Sequence, residues 1–341
     1  MSKLRNLWLV MVLTVMVTVI AGLASSGGAI AQEKKLVFAV PGIPPVFGAV
    51  IAFLAEKEGL FKKYGVDVTV RSFDTGAGAA RAVAAGDIDL ALSPSPLIVN
   101  QISNADVKLV AIYGLEYPDW LIGSTDPKLA KCKDLDGQPV GVDSVGGARS
   151  IALKEMIVPC GLKIENVQQV ALGTNVGAAM VAGQLKFGVL HLDDVPSIEA
   201  QTGKPLTTIT TLKQINPVSH YLLVVARTDR LAQNRDAFVR LLAGLIDAGN
   251  YMRDPKNADH VADIATVTGR SAAEAKAALK KYLEMEFWPN GHAGLTRKNL
   301  ESITKTQVAI GGIKADKTPV TYERLTDPSV WRDAAAMAKS R

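Results

Sequence analysis

The sequence predicts an α/β fold: two similar lobes built on strand–helix–strand units, followed by a helical C-terminal tail. Three observations predict it. Residues 55–96 read as a helix end, a strand with Val66, Val68 and Val70 in alternation, a glycine-rich turn, a helix, and a second apolar strand that closes in Ser93-Pro94-Ser95-Pro96. A shorter copy lies at 182–196, where Ala182-Gly183-Gln184-Leu185-Lys186-Phe187 opens a strand that ends before Pro196, as Ala85-Gly86-Asp87-Ile88-Asp89-Leu90 does in the first. After Thr228 the apolar spacing becomes helical, at Phe238, Leu241, Leu242, Leu245 and Ile246.

The elements follow in order. Lys3 and Arg5 precede an apolar run that reaches Leu23, and Ala29-Ile30-Ala31 supplies the small-x-small pattern of a cleavage site. Residues 1–31 therefore read as a secretory signal peptide, with an uncleaved anchor as the alternative. No cysteine lies near the cleavage site, so no lipid-anchored form is expected, and no later segment has transmembrane length. Residues 35–40 form the first strand. The proline-stiffened loop 41–47 follows, then a helix over 48–58 that stops at Gly59. Strands are expected at 66–73, 88–92 and 107–113, helices at 79–85 and 97–103, and a crossing between lobes at 114–120. In the second lobe a strand at 139–142 leads to a helix at 148–158. Segments 119–124 and 221–227 read as extended. Ser271-x-x-Glu274 is a capping box, and further helices are expected over 297–310 and 329–338.

Composition sets bounds. The 341 residues are 48% hydrophobic and 21% charged, enough for one large or two medium domains. Loss of residues 1–31 removes two basic and no acidic residues and lowers the net charge from +5 by two, too mild and too dispersed for nucleic acid. Cys132 lies before the strand at 139–142, and Cys160 after the helix that follows it. The two ends fall at one pole of a sheet, so a disulfide away from the ligand cleft is plausible; two buried free thiols are the other reading.

Gly59-Leu60-Phe61, then Tyr64-Gly65-Val66-Asp67-Val68, Ala85-Gly86-Asp87-Ile88-Asp89-Leu90 and Asp134-Leu135-Asp136-Gly137-Gln138-Pro139-Val140-Gly141-Val142 carry a resemblance. In order and spacing they resemble the periplasmic substrate-binding proteins of ABC importers, in the branch of nitrate, sulfonate, taurine and thiamine-precursor binders. Lys186 departs from the acid common in that family. The resemblance implies a two-lobed type II periplasmic binding fold with a hinge in the two extended segments. It divides the chain into the signal peptide 1–31, a first lobe in 32–117, a second lobe in 118–222, and a return to the first lobe in the helical tail 223–341.

Ligands of such sheets gather at the carboxyl ends of the strands. Candidate ligand-binding residues are Pro44 and Phe47 in the stiff loop, and Thr75 and Gly76 at a helix N-terminus that favours anions. Ser93 and Ser95 follow in the next turn. Ser144, Gly146, Gly147 and Arg149 form the corresponding turn of the second lobe, where backbone N–H groups and a guanidinium fork suit a carboxylate or sulfonate. Tyr113, Trp120, His191 and Asp193 complete the set as aromatic wall and polar tips. His191 with Asp193 and Asp194 has no third cluster at metal spacing, so no metal and no cofactor is expected. Nor is there a G-x-S-x-G elbow, H-E-x-x-H, C-x-x-C or Rossmann triplet. The resemblance implies an exported, monomeric, non-enzymatic protein of the periplasm. It would capture a small organic anion, such as a sulfonate or aromatic carboxylate, for an importer's permease and ATPase. An enzyme of the thiamine-pyrimidine type on the same fold and an exported sensor partner are the alternatives.

Overall fold

The computed structural model describes residues 34–340, so the signal-peptide expectation at 1–31 lies outside the described residues. Two five-stranded sheets carry the fold. The first holds β1 (Lys34–Pro41), β2 (Val66–Phe73), β3 (Leu90–Pro94), β4 (Leu109–Leu115) and β10 (Leu222–Arg227), in the order β2-β1-β3-β10-β4. The second holds β5 (Leu121–Ser124), β6 (Pro139–Val142), β7 (Gln168–Ala171), β8 (Phe187–Leu190) and β9 (Thr207–Thr211), in the order β7-β6-β8-β5-β9. The two orders are the same pattern. In each, a first strand pairs in parallel with its two neighbours, and a strand from across the molecule inserts antiparallel next to the third. This is the two-lobed arrangement read from the sequence.

The extended segments expected as links turn out to be those inserted strands. Leu121–Ser124 is bonded on both sides, to β8 and β9, and Leu222–Arg227 to β3 and β4. Their apolar residues are buried because each lies inside a sheet, not in an exposed connector. The chain between lobes is therefore shorter: residues 116–120 on the way out and the stretch after Leu212–Ile215 on the way back.

Local chemistry explains most boundaries. The helix Gly76–Ala85 starts three residues before the expected position because Thr75 caps it, its Oγ1 accepting the Gly78 N–H at 3.1 Å. The strand expected at 88–92 runs on through Pro94, and the next helix, Ser95–Ala105, begins within what reads as a turn. Pro96 sits in its first turn, where no N–H is missed. β4 lies two residues later than expected. The capping box at Ser271 and Glu274 forms as read, with both reciprocal bonds present. The long helix Thr228–Arg253 bends at Asn234 and packs between the first sheet and the C-terminal helix Ser329–Lys339.

Cys132 and Cys160 are joined in a disulfide, with Cα atoms 6.2 Å apart and a separation of 28 positions in sequence. The bridge ties the turn before β6 to the end of the helix Ala148–Ile157, at the pole away from the strands' carboxyl ends. Closing a loop of this length in the unfolded chain should stabilise the protein by about 2–4 kcal/mol. Urea unfolding of the Cys132→Ser/Cys160→Ser double variant should show that loss, and the wild type with reductant should match it. An unchanged midpoint would show that the bridge constrains nothing.

Candidate functional site

The carboxyl ends of the parallel strands of both sheets converge on one cleft. Its walls include Asp74, Thr75, Gly76, Trp120, Asp143, Arg149, Thr174, His191 and Tyr221. On the first lobe, the helix Gly76–Ala85 points its N-terminus into this space. The Ser93 hydroxyl ties its start down by donating to the Gly76 carbonyl at 2.9 Å. A Cβ at Gly76 would lie 2.4 Å from the Pro94 ring, so only glycine lets these two turns close up. The N–H groups of Gly76 and Ala77 belong to the first turn and have no carbonyl within the helix to bind.

The second lobe differs from its sequence reading. The helix Ala148–Ile157 was expected to offer open N–H groups, yet Asp143 already occupies that end. One carboxylate oxygen accepts the Ala148 N–H and the other the Arg149 N–H, each at 3.0 Å. A Cβ on Gly147 would lie 2.2 Å from Ser144 Oγ and 2.7 Å from both Asp143 oxygens, so the glycine is what admits the carboxylate. A negative charge therefore stands in the cleft wall of the second lobe, opposite an unfilled helix end on the first.

Between them lies a buried ionic network. Arg149 is 3% exposed. It donates from Nη1 to the Val189 carbonyl at 2.7 Å, lies 3.8 Å from Asp194, and sits over the Trp120 ring. Trp120 in turn packs on His191, ring centres 4.2 Å apart. His191 Nδ1 bonds Asp119 at 3.0 Å and lies 3.2 Å from the Tyr221 hydroxyl. Burial pulls the His191 pKa down, but the charge and hydrogen bond of Asp119 outweigh it, and the net shift is upward. Arg270 spans Asp193 and Asp194, with Nε and Nη2 at 3.0 and 2.9 Å from the first and Nη2 also on the second. Burial favours the neutral acid at both aspartates. At Asp194 the guanidinium groups of Arg149 and Arg270 reverse this and hold it low, whereas at Asp193 burial and the neighbouring Asp194 charge leave it raised. The Tyr282 hydroxyl donates to Asp119 and lies 3.0 Å from Asp193.

Several of these bonds run from one lobe to the other. Arg270 and Tyr282 come from the tail, whereas Asp119, Asp193 and Asp194 lie on the crossing and the second lobe. Thr174 Oγ1 donates to the Ile43 carbonyl at 2.6 Å across the cleft mouth. On the far side, Gln307 Nε2 donates to Glu155 Oε1 at 2.9 Å, and Asn216 Nδ2 to Thr306 Oγ1 at 3.2 Å. The lobes are shut. The cleft retains a cavity of about 30 Å³, room for roughly two waters. Beside it, sharing Thr174, a larger cavity of about 200 Å³ is lined by Pro44, Asn175, Ser197, Gln201 and Arg270.

The structure gathers Thr75, Gly76, Trp120, Arg149 and His191 on the cleft wall, and places Pro44 on the adjoining cavity. Ser144, Gly146 and Gly147 build the turn around Asp143 without lining the cleft, and Asp193 is held by Arg270 behind it. Four candidates lie elsewhere. Phe47 is a core residue stacked on Tyr282, ring centres 4.9 Å apart. Ser93 braces Gly76, and Ser95 bonds His220 Nδ1 at 2.6 Å. Tyr113 faces a separate cavity behind the first lobe. Sequence reasoning passed over Arg270, Tyr282 and Thr174, which lie far from the glycine turns in sequence; Tyr221 stood at the start of a recognised extended segment. Among the described residues, no group of three or more His, Cys, Asp or Glu is placed to hold a metal ion.

A family model described as NMT1/THI5 like matches residues 48–258. The chain belongs to that family. A relative from Brucella abortus, named only as a binding protein, is 23% identical over 211 residues, which is 61% of this chain and 65% of the relative. The match thus spans just under two-thirds of that relative's length. Among solved structures, the nitrate-binding protein NrtA of Synechocystis PCC 6803 is similar with a TM-score of 0.76 and 13% identity, covering 91% of this chain and 90% of that one. The alkanesulfonate-binding protein SsuA of Xanthomonas axonopodis pv. citri, bound to MOPS, is similar with a TM-score of 0.69 and 14% identity, covering 87% of this chain and 100% of that one. This NMT1/THI5-like chain has the periplasmic binding protein fold, type II, as its two matching sheet orders require.

Proposed function

We propose that this NMT1/THI5-like chain is an exported, monomeric solute-binding protein, without enzymatic activity, that captures a small organic monoanion and delivers it to the permease and ATPase of an ABC importer. The observation that carries the ligand class is the asymmetry of the cleft. The helix end at Thr75 and Gly76 is unfilled and faces Arg149, whose remaining guanidinium N–H groups border the same space. The opposite helix end holds its own carboxylate, Asp143, which repels a second acidic group on the solute. A single sulfonate or carboxylate enters while the lobes are parted, and the solute's body lies toward Thr174 and the adjoining cavity.

Export to the periplasm is supported by the basic start, apolar run and small-x-small pattern of residues 1–31. In this reading residues 32–117 and 223–341 form the first lobe and residues 118–222 the second. The solute contacts both lobes only when they close, so binding favours the closed form, and the crossings at 116–120 and before Tyr221 are the hinge. Delivery to an importer is supported by the fold shared with nitrate- and sulfonate-binding proteins. Native mass spectrometry of the protein purified without refolding tests the capture step. A carried monoanion, released unchanged on denaturation, is the expected result. A carried cation, or conversion of the released solute on reincubation, would contradict it.

A further inference from the structure

A second cavity, of about 230 Å³, lies behind the first lobe, between the end of the helix Thr228–Arg253, the segment 289–292 and the helix Ser329–Lys339. It shares no lining residue with the interlobe cleft. Two groups on its wall are open to a further partner. Tyr113, 5% exposed, lines the cavity, and its hydroxyl makes no hydrogen bond among the described residues. Arg253 lines the same space. Its Nη1 donates to the Gly249 carbonyl at 2.7 Å, and its Nη2 to those of Trp288 and Pro289 at 2.5 and 3.1 Å. All three acceptors are neutral, so no carboxylate among the described residues lies within ion-pair distance of this guanidinium. Asp247, also on the wall, is engaged by Lys63 and Tyr64. Glu286 acts on Arg253 only at longer range. The rest of the wall is mixed: Ile246 on one helix and Trp331 and Ala335 on the other are apolar, while Asn250, Asn290, His292 and Lys339 add polar and cationic groups.

We infer that this cavity is a second binding site, for a small aromatic carboxylate whose charged end meets Arg253 and the Tyr113 hydroxyl and whose ring lies against Trp331. A carboxylate there would meet both groups at once, as an acceptor for the phenol and a counter-charge for the guanidinium. The site adjoins the segment on which both crossings lean, since Gly114 N–H donates to the Ala293 carbonyl at 2.9 Å and His220 Nε2 bonds the Gly294 carbonyl at 2.7 Å.

The two sites carry separate reporters: Trp120 in the cleft and Trp331 in the back cavity. The experiment is fluorine NMR of 5-fluorotryptophan-labelled protein, produced from the full chain and titrated with benzoate, with the Trp331→Phe variant assigning its signal. Saturable movement of the Trp331 signal is expected. The isosteric Tyr113→Phe variant should weaken binding about tenfold through loss of a hydrogen bond to a charged acceptor, and Ala335→Phe should block it by filling the cavity. A Trp331 signal unmoved up to the solubility limit of benzoate would overturn the inference, as would Tyr113→Phe binding as tightly as wild type. Movement of the Trp120 signal alone would place benzoate in the cleft and count against the back site while leaving the cleft reading intact. This inference stands independently of what the cleft binds.

Discussion

Arg149→Ala should weaken capture of the cleft's anion by about 100-fold or more, because truncating one partner of a desolvated charge pair costs about 2–5 kcal/mol. The same change should lower stability. Asp194 is held ionised against burial first by Arg149 and then by Arg270, and it would lose the nearer share of that compensation. Two readouts separate the effects. Circular dichroism reports whether the variant is folded, and calorimetric titration of the folded fraction reports affinity. Arg149→Lys should recover part of the stability but little of the affinity, since an ammonium cannot reproduce the guanidinium fork that both reaches Val189 and faces the cleft. An Arg149→Ala protein that binds the anion as wild type does would remove Arg149 from the site.

Glu155→Gln should make the protein more stable above neutral pH. Glu155 is 4% exposed at the seam between lobes, bonded to Gln307, with its Oε2 lacking a partner. Burial pushes its pKa up from 4.5 to about 7, against the smaller opposing effect of the neighbouring Asn216 and Gln307 amides. The unfolded chain releases this proton above pH 4.5, whereas the folded one keeps it to about 7. Stability therefore falls as pH rises through that window, by about 3 kcal/mol in all. Glutamine carries no such charge, and its amide supplies a donor. His220 acts in the opposite direction: burial lowers its pKa from 6.5 to about 4, so folding loses stability as pH falls between those values. In the wild type the two slopes largely cancel. Glu155→Gln removes the Glu155 slope and leaves that of His220, so the variant should match wild type near pH 4 and exceed it by about 3 kcal/mol at pH 8. Urea unfolding across this range checks it. Equal stability of the two proteins at alkaline pH would show that Glu155 is not buried as a free acid.

Much of the fold was legible because its signals are local. Alternating valines at 66–70 and the helical spacing after Thr228 each report on a few neighbouring residues, and each forms as read. The inserted strands were harder. A run such as Leu121–Ser124 looks extended whether it links lobes or pairs inside a sheet, and only the partners on both sides decide. The cleft was legible where a turn at a strand's carboxyl end announced it, as at Thr75, Gly76 and Arg149. It was not legible where function depends on distant chain. Nothing near Arg270 or Tyr282 in sequence indicates that their side chains reach Asp193 and Asp119. Asp143 shows the subtler limit. A Gly-Gly turn before a helix reads as an open anion site, but the same glycines clear space for the chain's own carboxylate.

The most direct test of the central claim is thermal unfolding of refolded, ligand-free protein against paired monoanions and dianions, with neutral and cationic solutes alongside. A solute at about 100-fold its dissociation constant adds roughly 2.7 kcal/mol, a rise of a few degrees for a chain of this size. The account predicts a saturable rise with one class of organic monoanion, absent in Arg149→Ala and smaller with the matching dianion. A rise produced only by cations or neutral solutes, or equal in the Arg149→Ala protein, would contradict it.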